Sequence, residues 1–103
     1  MRIVSKLSDM IEEELDDAEK YIRCAMDKKT DYPNLAATFH KLSVEEINHS
    51  NMLHDQVVAM INEYRTKNGN PPEKMQWVYD YLHKKYIDKA NEIKVMQALF
   101  NQK

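Results

Sequence analysis

Residues 67–74 read KNGNPPEK, a stretch that holds the only glycine of the chain and two of its three prolines. Gly69 has the conformational freedom to end a helix just past its last turn. Asn70 followed by Pro71 and Pro72 suits an N-cap and a first turn. One helix is therefore expected to stop here and another to begin. KKTDYPNL at 28–35 is a second break: Pro33 favours a new first turn and disfavours helical backbone at Tyr32. No other cluster of turn residues interrupts the chain, so the sequence predicts three helices, at 4–29, 33–67 and 72–101. At 1.5 Å per residue they would measure ~39, ~52 and ~45 Å. Connections this short make neighbouring helices antiparallel.

Composition fits one domain over residues 1–103, with no internal repeat and no low-complexity segment. A 43% hydrophobic and 31% charged mixture suits amphipathic helices better than disorder. The net charge is -2 with both signs interspersed, so nucleic acid is not an expected partner. Cys24 stands alone, which excludes an intrachain disulfide, a CxxC pair and a Cys/His zinc spacing. MRIVSKLSDMIEEEL at 1–15 turns acidic within ten residues and has no apolar targeting core. No run is long enough to span a bilayer. The expected setting is cytoplasmic, with no membrane partner.

Each helix carries a stripe at i, i+3/i+4, i+7 spacing. The first gives Leu7, Ile11, Glu14, Ala18, Tyr21 and Ala25. The second gives Leu35, Phe39, Leu42, Glu46, His49, Leu53 and Met60. The third gives Met75, Tyr79, Leu82, Tyr86, Ala90, Ile93 and Phe100. Three stripes of this length cover one another only in part. Burying the remainder against a second copy predicts a homodimer or larger homo-oligomer, with a self-sufficient three-helix monomer as the alternative.

Carboxylates interrupt two of the stripes, and one of these also contains a histidine. In LSVEEINHSNMLH at 42–54, Glu46 and His49 are three residues apart and share one helical face. Burying such groups among Leu, Phe and Met is costly unless something compensates them. A cation would do so, neutralising the carboxylates and holding the imidazole unprotonated. Oxygen-rich ligation with one nitrogen suits iron, with manganese or zinc as alternatives. Di-iron helical bundles use a Glu from each of two helices and a Glu-x-x-His from each of two others. Glu14, Glu46 and His49 supply half of that set, so two copies would supply all of it. The structural alternative is a buried hydrogen-bonded pair that fixes helix register.

EELDDAEKYIRCA at 13–25, followed by PNLAATFHKLSVEEINH at 33–49, resembles the first helical pair of the ferritin-like superfamily, in particular rubrerythrin-type and encapsulated-ferritin-type proteins. Glu14, Ala18 and Tyr21 match the pattern of their first helix, and Glu46-Ile47-Asn48-His49 matches the Glu-x-x-His of their second. The resemblance implies that Glu14 and Glu46 are metal ligands and possible bridges, and that His49 is a terminal ligand. It also implies ferrous oxidation by dioxygen or peroxide. It covers about residues 7–62 and lacks the second Glu and second Glu-x-x-His of rubrerythrins and ferritins. Encapsulated ferritins are similar in carrying one half-site per chain, completed across a dimer, but their third helix is short. The last thirty residues instead resemble small helical proteins of bacterial and prophage genomes, a likeness that implies no activity.

The expected fold is thus all-α: a ferritin-like hairpin plus a third long helix, the bundle being completed by oligomerisation. In that third helix Asp80 and His83 repeat the carboxylate-x-x-His spacing. His83 borders the apolar stripe and is a fourth candidate ligand, whereas Asp80 projects away from it. His54 is about 140° around the helix from His49, so it is expected to face solvent or another subunit. His40 is read as a surface residue, Cys24 as an inert thiol, and Tyr21 as the tyrosine to examine. The alternative function is a non-catalytic helical structural or interaction module.

Overall fold

The computed structural model describes residues 2–102. Its regular elements are the helices α1 (Arg2–Lys28), α2 (Pro33–Asn68) and α3 (Glu73–Phe100), and no strand occurs among the described residues. The chain is all-α with breaks where the sequence places them. Pro33 occupies the first turn of α2, where its missing N–H costs nothing, and Ala36 N–H donates to the Tyr32 carbonyl at 2.9 Å. At the other end Gly69 has φ +78° and its N–H closes on the Arg65 carbonyl at 2.9 Å. That positive φ is why glycine stands there. The N-cap of α3 is Pro72 rather than Asn70: the second proline fixes an extended backbone (φ -52°, ψ 145°), and helical geometry starts only at Glu73.

The molecule measures 55 × 17 × 16 Å. Its long dimension is that of α2, whose length at 1.5 Å per residue is ~54 Å. α1 and α2 form the tightest pair, and α3 lies along them with sparser backbone approach, least of all to α2.

The buried line of α1 is Val4, Ser8, Ile11, Leu15, Ala18, Ile22 and Ala25, alternating steps of four and three. The expected stripe shares Ile11, Ala18 and Ala25 with it. Leu7, Glu14 and Tyr21 lie half-buried on its flank. Burying an aliphatic side chain such as Ile22 stabilises the fold by ~1.5–3 kcal/mol. In α2 the buried residues are Ala36, Ser43, Ile47 and Ser50. The expected stripe is rotated off this seam, and Leu35 and His49 are exposed. Small side chains explain the shift, because they let α2 approach α1 closely. The Ser43 hydroxyl donates to the Ala18 carbonyl at 2.7 Å, and the Ser50 hydroxyl donates to the Ile47 carbonyl at 2.7 Å. Neither polar group is stranded.

α3 buries Tyr86 and Ile93 and half-buries Met75, Tyr79, Leu82, Ala90 and Phe100, as its stripe predicts. Polar contacts hold its position. Tyr86 donates to the Ser8 carbonyl at 3.0 Å, and Gln97 donates to the Ser43 hydroxyl at 2.9 Å. Lys85 pairs with Glu12 at 3.4 Å, and Lys89 pairs with Asp16. Lys29 donates to the carbonyls of Phe100 and Gln102, placing positive charge at the C-terminal end of α3. His40, expected at the surface, is half-buried: it stacks on Phe100 with ring centroids 4.8 Å apart and meets the Gln97 carbonyl at 3.2 Å. Among the described residues no helix is long and apolar enough to cross a membrane.

Candidate metal centre

The antiparallel register of α1 and α2 brings the candidate ligands together. Tyr21 packs on Phe39, with ring centroids 6.2 Å apart. Seven residues back along α1 is Glu14, and seven forward along α2 is Glu46. Glu14, Glu46 and His49 form one cluster, each offering a ligand atom within 4.8 Å of the others. His49 Nδ1 is 3.4 Å from Glu14 Oε2 and 3.6 Å from Glu46 Oε2. Two donors bound to one ion at about 2.0–2.2 Å each stand no more than about 4.4 Å apart. The imidazole-to-carboxylate spacings fall inside that span.

Burial is graded across the cluster. The side chains of Glu46, Glu14 and His49 are 18%, 27% and 52% exposed, so the carboxylates face the helix seam and the imidazole faces outward. Glu14 Oε2 is shielded from solvent and accepts no hydrogen bond from the described residues. An oxygen in that condition costs ~1–3 kcal/mol. The donor chemistry, two carboxylates and one imidazole, fits iron(II) or manganese(II), and zinc(II) as well. An ion there would be held by Glu14 and Glu46 through oxygen and by His49 through Nδ1, with its remaining positions open on the exposed side.

His83, the fourth candidate, is not in this cluster within the chain. It lies on α3 and its Nδ1 is 2.9 Å from Nε2 of His54 on α2. His54 is correspondingly half-buried against its own chain rather than turned to solvent. Asp80 accepts a hydrogen bond from Gln76 at 2.8 Å. Tyr21 stacks on Phe39, one turn-pair from the carboxylates, and Cys24 is a free, half-buried thiol. Sequence reasoning missed the His54–His83 pair. The signal was available: His54 is seven residues beyond Ile47, the spacing of the buried α2 seam.

Fold and cluster together define a three-helix all-α chain with a carboxylate–carboxylate–imidazole triad between its first two helices. No protein-family model, curated protein or solved structure matches the chain.

Proposed function

We propose that the chain is a ferritin-like metal-binding protein that takes iron, or a related divalent cation, at Glu14, Glu46 and His49. The observation that carries this reading is the solvent-shielded Glu14 Oε2, which faces a second carboxylate and an imidazole and accepts no hydrogen bond from the described residues. A cation supplies the missing partner and offsets the repulsion between the two carboxylates.

A homodimer extends the same reading. α3 meets α1 through Ser8, Glu12 and Asp16. Glu12 and Asp16 are each about 200° around α1 from Glu14, so the triad lies on the side of the hairpin away from them. Leu7, Tyr21, Phe39 and Leu53 flank it there, all only half-buried. A second copy seated on this row would cover them and bring another Glu14, Glu46 and His49, giving the four carboxylates and two imidazoles of a two-metal bundle. Iron bound with an open position would then be oxidised by dioxygen or peroxide, the activity the resemblance implies.

Elemental analysis of protein purified without chelator tests the binding. About one iron or manganese per chain is expected, and its loss in Glu46→Ala. Protein that stays metal-free after incubation with ferrous or manganous salt contradicts the reading. Turnover is tested separately: a metal-loaded oligomer that oxidises ferrous iron no faster than buffer is not a ferroxidase. A second reading, a non-catalytic interaction module, is favoured by one patch on α3, where Trp77 and Tyr81 are 65% and 68% exposed. Under it, Glu46→Ala changes stability alone.

A further inference from the structure

A second cluster of nitrogen donors lies between α2 and α3, apart from the carboxylate triad. His54 Nε2 and His83 Nδ1 are 2.9 Å apart, with ring centroids at 4.8 Å and planes inclined by 28°. The pair closes the side of a cleft of about 180 Å³ whose walls include Ile11, Val57, Leu82 and Tyr86. A second cleft, carrying Asn51 and Asn91, opens on its other side. These two helices have the sparsest backbone approach in the molecule, and the histidines are one of the few polar links across it.

We propose that His54 and His83 form an imidazole site for a borderline divalent cation, Zn²⁺ being the representative, which clamps α3 to α2. Two nitrogens bound to a tetrahedral zinc at about 2.0–2.1 Å are about 3.3 Å apart, so the rings need to part by only a few tenths of an ångström from the 2.9 Å present here. His83 is exposed, so its ring can turn to aim its lone pair. Burial and the neighbouring His83 both hold the His54 imidazole below its ordinary pKa, which favours the neutral, metal-binding form. The protonic bookkeeping is simple for the neutral pair. Whichever nitrogen donates the present N–H···N bond moves its proton to the other nitrogen of the same ring, so both facing lone pairs are free and no proton is released. Water entering from the clefts completes the coordination. Imidazole pairs select zinc, copper or nickel over the iron and manganese that suit a carboxylate-rich set, so the two sites sort cations by ligand chemistry.

Calorimetric titration with Zn²⁺ at about pH 7.5 tests this independently of the carboxylate triad. It is done in Glu46→Gln protein, where the triad is disabled, with and without His83→Gln or His54→Ala. One zinc event is expected in Glu46→Gln, weakened at least tenfold by either histidine substitution. His83 is exposed, so its replacement leaves the fold intact. Zinc should also raise the melting temperature of Glu46→Gln protein but not of Glu46→Gln/His83→Gln. An isotherm unchanged by His83→Gln overturns the proposal, and so does one that depends on a single histidine. Neither result bears on iron binding at the triad.

Discussion

His49 Nδ1 stands 3.4 Å from Glu14 Oε2, an oxygen shut off from solvent that accepts no hydrogen bond from the described residues. One side chain of α1 and one of α2 thus converge on a position where, with His49 neutral, the described residues leave an acceptor without a hydrogen bond. In the absence of metal this arrangement is a source of instability. Glu14→Leu removes the orphaned oxygen and one of two adjacent negative charges, so metal-free protein should gain about 1 kcal/mol. The same substitution should abolish metal binding. Denaturant melts of chelator-treated protein check the first outcome; a variant less stable than its parent would show that Glu14 already has a stabilising partner.

Ser43 sits where α1, α2 and α3 meet, donating to the Ala18 carbonyl and accepting from Gln97. Ser43→Val removes the hydroxyl, which strands the Gln97 amide, and adds bulk at the closest approach of the helices. A loss of about 1–3 kcal/mol is expected in urea denaturation. Ser43→Ala should lose less, because it adds no bulk.

Tyr86 is buried and its hydroxyl donates to the Ser8 carbonyl across α1 and α3. Burial raises its pKa above 10.0, and the charges of Glu12 and Asp9 push in the same direction. Tyr86→Phe should cost about 0.5–1.5 kcal/mol by removing that hydrogen bond. Burial raises Tyr79 as well, so ultraviolet titration should find these two tyrosines ionising later than the exposed ones, and one fewer in the variant.

The α2–α3 seam should respond to acid. His54 titrates below its ordinary 6.5 because burial and then His83 disfavour its charge, with Asp55 on its own helix opposing them. From α3 the charged groups along the adjoining clefts are Asp80 and Lys94; Arg65 lies farther along α2, and α1 contributes only the uncharged Ser8, Ile11 and Leu15. Just below pH 6.5 the unfolded chain binds more protons than the folded one, so stability rises with pH through that window. This contribution is complete above the unfolded value and is lost as the pH falls through the lower folded one. Urea melts at about pH 7.5 and about pH 5.5 should show a smaller loss for His54→Gln than for the parent. Equal losses would contradict it.

The sequence declares its helices clearly and its seams less so. Gly69 permits a positive φ that other residues rarely adopt and Pro33 fixes its own φ, and both breaks fall where they stand. The α3 stripe is legible because Tyr86 and Ile93 are large, apolar and correctly spaced. The α2 seam is not, since Ala36, Ser43 and Ser50 bury by being small, which hydropathy does not register. Hydropathy likewise passes over His40 and His54, polar residues half-buried against α3, although His54 keeps the seven-residue spacing of the α2 seam. Glu14, Glu46 and His49 were readable as a group because i, i+3 spacing and antiparallel register are local consequences of two helices joined by a tight turn. His83 was not, because assigning it to a site requires knowing which side of the hairpin α3 takes.

The most direct test of the proposed function is a crystal structure grown with manganous salt, with data collected for the anomalous signal of manganese. An anomalous peak bonded to carboxylate oxygens of Glu14 and Glu46 and to Nδ1 of His49 is expected, with a second copy's set across a two-fold axis. Three side chains joined only to one another, or turned outward with no peak beside them, would contradict it.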